Sequence, residues 1–452
     1  MKSKLNLHSF DLRRALSLAW PISLQGVLTN LISIVDVAMV SHLGDTAVAA
    51  VGLGNRYQFM LMVILLGCAW TVGVLSAQYY GAGQQQRIRS TIILATAVAL
   101  CGLLPALILT WLFSANIIGL GGEQIDFIKQ GSLYINICVP SLAFVAVVLV
   151  YENAVRALGQ SKLPLVFSAS AIGLNIVLNY WFINGGWGLP AMGVAGAAWA
   201  TLVARLIHAA SLVLYLQFSQ HPLALRRIDF KFESRQARHI ISMAAPMMGS
   251  FGVWAVGIFV YQLIYGSMGT SELAIISMLT PIEAIFLALF FGLASACSIS
   301  IGQLLGADKF EQARLYAKAF CMMNIGIAVL LGALLYIAAP LVLLPFQHMP
   351  ADSLLRANDL MLVIALLSWL KVSNMTLAMG ILRAGGDNTI VMWIDVVGMW
   401  LISLPLCACA TFLWNWPLFW VVLLSYSEEL SKAVLFTLRV IQGRWQRNLS
   451  HH

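Results

Sequence analysis

Long apolar runs, separated by short polar or glycine-containing turns, fill the chain from end to end. A hydrocarbon layer about 30 Å thick is crossed by a helix of roughly 20 apolar residues. Runs of at least that size occupy residues 15–41, 50–79, 90–114, 125–151, 161–183, 193–219, 239–266, 272–303, 313–340, 354–381, 389–413 and 417–441. A barrel strand would instead show about ten residues of alternating polarity, and these runs are continuous. The pattern predicts an all-α polytopic membrane protein with twelve transmembrane helices. The first run is long and leads into Asp36 with no small-residue cleavage site, so it is expected to stay as helix 1 rather than be removed as a signal.

Composition narrows the function classes. Of 452 residues, 60% are apolar and 10% charged, with a mean hydropathy of +0.87. A water-facing surface carries about 25–35% Lys, Arg, Glu and Asp, so a soluble enzyme is excluded. All seven cysteines lie in apolar stretches, where a thiol acts as a small hydrophobe. Cys407 and Cys409 have no nearby His or second Cys pair, so no metal site is expected, and no cofactor motif is present. There is no phosphate loop to take ATP, no H-E-x-x-H and no G-x-S-x-G elbow. The chain reads as a non-enzyme whose energy comes from an ion gradient.

Basic residues set the orientation. With twelve spans both ends share one side, and about twenty cations fall there, among them Arg13, Arg14, Arg87, Arg89, Arg156, Arg226, Arg227, Arg235, Arg383 and Arg439. The other side keeps essentially Lys129 and Arg356. By the positive-inside rule the termini and the 220–238 loop are cytoplasmic. The net charge of +8 is then explained by topology and anionic lipid, with no nucleic acid as partner.

The sequence repeats. Ser17 to Arg89 lies on Ser242 to Arg314 at a constant offset of 225, matching Pro21 with Pro246, Gly44 with Gly269, Gly67 with Gly292 and Gln78 with Gln303. Later, "RALGQSK" from Arg156 meets "RAGGDNT" from Arg383 at an offset of 227. Six helices repeating in the same sense predict two parallel, pseudo-symmetric lobes, an arrangement found in transporters. The expected division is 1–222 for the N-terminal lobe, 223–238 for a polar cytoplasmic linker and 239–452 for the C-terminal lobe.

Ionisable groups inside a bilayer are expensive, so each is a functional candidate. Asp36 lies in helix 1 and ends a polar stripe of Gln25, Thr29, Ser33 and Asp36, whose spacings of four, four and three put them on one helix face. Asn175 and Asn179 share a face of helix 5, and Thr201, Arg205 and His208 share one of helix 6. A carboxyl desolvated among amides and hydroxyls can exchange a proton near neutral pH; a purely structural hydrogen bond to a neighbouring helix is the alternative. In the C-terminal lobe Glu283 and Lys371 are expected to pair across helices 8 and 10. Glu429 and Lys432, three apart, can pair within helix 12, and Asp395 completes a candidate polar network. Among the histidines, those at helix ends and in loops, including His221, read as solvated, and His208 is the one of interest.

Taken together, "AWPISL" and "VDVAMVSHLG" in helix 1, "AQYYGAG" after helix 2, "RALGQSK" after helix 4, "LNIVLNYWFI" in helix 5 and "MGVAGAAWAT" entering helix 6 resemble the multidrug and toxic compound extrusion (MATE) family. The likeness runs over nearly the whole chain and favours the DinF-like branch: Asp36 is present, while helix 7 lacks a carboxylate and helix 10 has Lys371 and Asn374 near the position of the other branch's acid. The resemblance implies a secondary antiporter in a bacterial inner membrane, taken as a monomer, that exports amphipathic, often cationic compounds in exchange for H⁺. It implies Asp36 as the coupling carboxylate, with Gln25, Thr29, Ser33, Asn175, Asn179 and Thr201 around the substrate or cation, and Pro21 as a bending point of helix 1. One departure bears on the ion. The DinF-like pattern on helix 5 is N-x-x-x-D, and this chain has Asn179 at the second position, which removes a negative ligand from any Na⁺ site and favours H⁺. A Na⁺-coupled exporter and a lipid-linked precursor flippase of the same superfamily are the alternatives.

Overall fold

The computed structural model describes residues 10–186, 188–230, 234–346 and 350–451. Twelve long helices are found among them: α1 (Leu12–Val40), α2 (Asp45–Gly81), α3 (Gln85–Gly119), α4 (Ile125–Ala157), α5 (Lys162–Asn184), α6 (Val194–Phe218), α7 (Ser234–Met268), α8 (Thr270–Gly306), α9 (Phe310–Ile337), α10 (Ala351–Gly385), α11 (Asn388–Phe412) and α12 (Leu418–Ile441). Eleven are long and apolar enough to cross a membrane. The twelfth, α12, is 24 residues long but carries Glu428, Glu429 and Lys432 within one stretch. Extended structure among the described residues amounts to a single isolated bridge between Gly186 and Leu189.

The chain forms two compact units. One comprises residues 1–26 with 249–451, the other 27–248. The boundary falls inside α1 and inside α7, so the first part of each of these helices packs in the unit that does not hold its remainder. The repeated glycines explain how. In the second unit, a Cβ on Gly67 of α2 would lie 2.6 Å from the backbone of Met248 in α7. In the first unit, a Cβ on Gly292 of α8 would lie 2.4 Å from the carbonyl oxygen of Ala19 and 2.7 Å from the backbone nitrogen of Ser23 in α1. Ser23 and Met248 are themselves related by the offset of 225. Each glycine therefore permits a backbone-to-backbone helix crossing, the mode of packing that lipid favours because it rests on close fit rather than on escape from water.

The described start of the 223–238 linker is anchored at Asp229. Asp229 is fully buried; its Oδ2 accepts from Arg89 Nε at 2.8 Å and from the Arg226 backbone N–H at 2.7 Å. Ser90 Oγ donates to the Asp229 carbonyl at 3.3 Å. Arg89, counted above among the cytoplasmic cations, is thus a buried ion-pair partner, as are Arg156 and Arg383. The α10 and α11 helices each include a wider π-helical stretch, at Thr376–Leu382 and Val397–Ser403.

Candidate functional site

In the unit formed by residues 27–248, α1 and α5 bring Asp36 and the two asparagines together. Asn179 Nδ2 donates to Asp36 Oδ1 at 2.7 Å and to Asn175 Oδ1 at 3.2 Å, using both amide hydrogens. An ionised carboxylate only accepts, so this contact also fixes which way the Asn179 amide points. Asn175 and Asn179 are 5% and 1% exposed, and Asn179 Oδ1 has no hydrogen-bond partner among the described residues. No ion pair to Asp36 occurs among the described residues. Arg205 acts on it electrostatically while directing its own Nη1 to Ser141 Oγ at 2.7 Å. Asp36 is therefore a half-buried carboxylate held by an amide, with no fixed cation in contact.

The other expected members are placed differently. Thr201 is buried, but its hydroxyl donates to the Ala197 carbonyl one turn back, at 3.0 Å, and not to Asp36. Thr29 is exposed. Gln25 and Pro21 are buried but belong to the unit that holds residues 1–26. The Ser33 side chain lies outside the described residues.

A second buried network in the same unit was not anticipated. Glu152 of α4 is 2% exposed; it pairs with Arg156 at 2.9 Å, accepts from Ser168 Oγ of α5 at 2.8 Å and lies 3.7 Å from His208 Nε2 of α6. The i,i+4 spacing of Glu152 and Arg156 in "YENAVRA" was the available signal. It was masked because Arg156 fitted the topology so well. His221 also departs from a solvated reading. Its Nδ1 accepts from the Leu223 N–H at 3.2 Å and its other ring nitrogen meets Gln160 Oε1 at 2.9 Å. Partial burial lowers its pKa by desolvation.

In the other unit, Lys371 Nζ meets Glu283 Oε1 at 2.5 Å, as expected, and lies over the Tyr426 ring. Asp395 sits in a separate group, with Lys432 at 3.2 Å, Ser250 Oγ at 2.6 Å and Arg383 at 3.7 Å. Lys432 pairs with Glu428 at 2.6 Å rather than with Glu429, because the Glu429 side chain is directed at α10, where it accepts from Asn374 Nδ2 at 2.7 Å. Among the described residues no group of three or more His, Cys, Asp or Glu is gathered to hold a metal ion.

Twelve long helices in two six-helix lobes, with ionisable clusters inside the helices, define a polytopic membrane protein of transporter architecture. The MatE family model matches residues 21–181 and 246–409, once in each half of the repeat, and the chain belongs to this family. It is 26% identical over 404 residues to a probable multidrug resistance protein NorM of Photorhabdus laumondii, covering 88% of this chain and 87% of that one. It is 26% identical over 402 residues to a probable multidrug resistance protein YoeA of Bacillus subtilis, covering 85% and 84%. The crystal structure of the Vibrio cholerae MATE transporter VcmN in the bent form shares the fold, with a TM-score of 0.84 at 18% identity over 96% of this chain and 98% of that one.

Proposed function

We propose that this protein is a multidrug antiporter of the inner membrane that exports amphipathic, often cationic compounds in exchange for protons bound by Asp36. The observation that carries this reading is the state of Asp36: a carboxylate within a membrane-spanning helix, 2.7 Å from the Asn179 amide and with no ion-pair partner among the described residues. Such a charge needs a transient counter-ion, and a proton or a cationic substrate supplies one. The two compete. A bound organic cation favours ionised Asp36; a proton arriving from outside neutralises it, weakens the substrate site and releases the substrate outward. The linkage is reciprocal, since the factor by which protonation weakens substrate binding equals the factor by which substrate weakens proton binding.

Asn179, itself held by Asn175, holds the carboxylate, and Thr29, exposed on α1, faces substrate or water. Pro21 has no N–H to return to the Ser17 carbonyl, so α1 is weakest there and bends at that point when Asp36 changes state. The lack of a carboxylate on α7, together with Asp36 on α1, supports the DinF-like branch, while the two relatives compared by sequence are named NorM and YoeA. Asn179 in place of a second acid favours H⁺ over Na⁺, because hard cations prefer sites with several oxygen ligands and negative charge. The test is transport of a fluorescent cation into inside-out vesicles under separately imposed H⁺ and Na⁺ gradients. Asp36→Asn, which preserves the side-chain shape, is expected to insert and fold normally and to lose H⁺-driven uptake. Undiminished uptake by that variant would sink the assignment, and uptake driven by Na⁺ alone would replace the coupling ion.

A further inference from the structure

The C-terminal half contains a hydrogen-bond chain that is one proton short. Tyr261 of α7 sits at the offset of 225 from Asp36, and continuing the later offset of 227 puts Glu428 opposite Thr201 and Lys432 opposite Arg205. At this counterpart of the Asp36 site, the Tyr261 hydroxyl oxygen lies 2.9 Å from Glu428 Oε2 and 2.6 Å from Ser403 Oγ, and Ser403 Oγ lies 3.1 Å from the Ser425 carbonyl oxygen. The wider π-helical turn of α11 includes Ser403. Tyr261, Ser403 and Glu428 are 9%, 0% and 6% exposed.

These are three oxygen-to-oxygen contacts, each of which needs one hydrogen. The two hydroxyls supply only two, since each carries a single proton. With Glu428 ionised, one contact is left as two facing lone pairs. With a proton on Glu428 Oε2 the chain closes in one direction: Glu428 donates to Tyr261, Tyr261 to Ser403, and Ser403 to the Ser425 carbonyl.

The surrounding charges agree with this count. Two ion-paired groups, Glu283 of α8 with Lys371 of α10, and Asp395 of α11 and Glu428 of α12 with Arg383 of α10 and Lys432 of α12, flank Glu429 of α12, on which both lysines act electrostatically; together they hold four carboxylates and three cations. Cys407 of α11 is a further titratable neighbour of Glu428. Three cations leave one carboxylate in excess, and one proton makes the set neutral. Lys432 does not depend on Glu428 for a counter-charge, because Asp395 is 3.2 Å away.

We propose that Glu428 binds an exchangeable proton, which makes the C-terminal lobe a second proton-carrying site alongside that of Asp36. Loss of the proton reverses the chain: Tyr261 then donates to Glu428, and Ser403 must choose between Tyr261 and the Ser425 carbonyl. The site can thus take up and give back a proton by rotating two hydroxyl groups, without moving a helix. The inference does not rest on Asp36 being the coupling group.

The test is infrared spectroscopy of the purified full-length protein in lipid at neutral pH, reading the carbonyl stretch of protonated carboxyl groups and its shift in D₂O. In Asp36→Asn a protonated carboxyl band should remain, and labelling glutamate carboxyls with ¹³C should move it, whereas labelling aspartate should not. Adding Glu428→Gln, whose amide can replace the donation to Tyr261 and so preserve the packing, should remove the band. Tyr261→Phe, which deletes the acceptor, should move the band to higher frequency. Absence of any protonated carboxyl band in Asp36→Asn, or its persistence after Glu428→Gln is added, overturns the proposal. Failure of the Asp36 reading would show instead as undiminished transport by Asp36→Asn, so the two outcomes are separable.

Discussion

Replacing Asn179 with Leu probes the Asp36 site through its only described hydrogen-bond donor. The contact is short, 2.7 Å from amide nitrogen to carboxylate oxygen, and Asn179 is 1% exposed, so water does not readily replace it. A hydrogen bond to a charged group contributes about 1.5–3 kcal/mol net. Because the amide donates, that stabilisation belongs to the ionised form of Asp36 and is lost on protonation. At 1.36 kcal/mol per decade, removing the donor favours proton binding by a factor of about ten to a hundred or slightly more. The pH at which protons displace half of a bound organic cation should therefore move to the alkaline side by about one to two units. The assay is the apparent Kd of tetraphenylphosphonium for the purified protein across pH, read by tryptophan fluorescence, with monodispersity as the folding control. Asn175→Ala should move the midpoint less, because Asn175 reaches Asp36 only through Asn179. An unmoved midpoint in Asn179→Leu, or a shift to the acid side, would refute the role given to this hydrogen bond.

Three further outcomes are expected. Asn179→Asp would place a second carboxyl in hydrogen-bond contact with Asp36; two adjacent carboxylates do not both ionise without a counter-ion, so this variant should gain Na⁺ stimulation of substrate uptake, checked with a Na⁺ gradient at constant pH. Arg156→Ala would leave Glu152 buried without its ion-pair partner, which costs about 3–5 kcal/mol; the loss should appear as a lower melting temperature in detergent and be largely recovered by adding Glu152→Gln. His221, whose pKa burial lowers from its ordinary 6.5, stabilises the linker contacts as the neutral ring. The unfolded state binds more protons in the window below pH 6.5, so this contribution is complete above that value and falls as the pH drops through the folded-state pKa. The protection factor of the Leu223 amide, taken after correction for the intrinsic pH dependence of exchange, should fall on acidification, and in His221→Phe it should no longer vary with pH.

The membrane fold, the twelve helices and the repeat are legible in the order of residues alone. Each of these follows from one-dimensional quantities: the length of an apolar run against the thickness of a bilayer, and the recurrence of Pro, Gly and Arg at fixed offsets. The order of residues also singled out Asp36 and the two asparagines of α5, because a polar residue on an apolar helix carries a cost that only an internal partner offsets. Tertiary structure decided which partners those are. Thr201 shares its helix face with Arg205 and His208, yet its hydroxyl is satisfied by its own backbone, an option that spacing does not reveal. Lys432 chose Glu428 and Asp395 over Glu429, since side-chain direction and the π-helical turns of α11, not residue count, set those distances. Glu152 stayed hidden because its partner, Arg156, already had a topological explanation. The close crossings at Gly67 and Gly292 gave the repeat its physical meaning: the glycines recur because, in each unit, a second helix backbone lies where a side chain would have been.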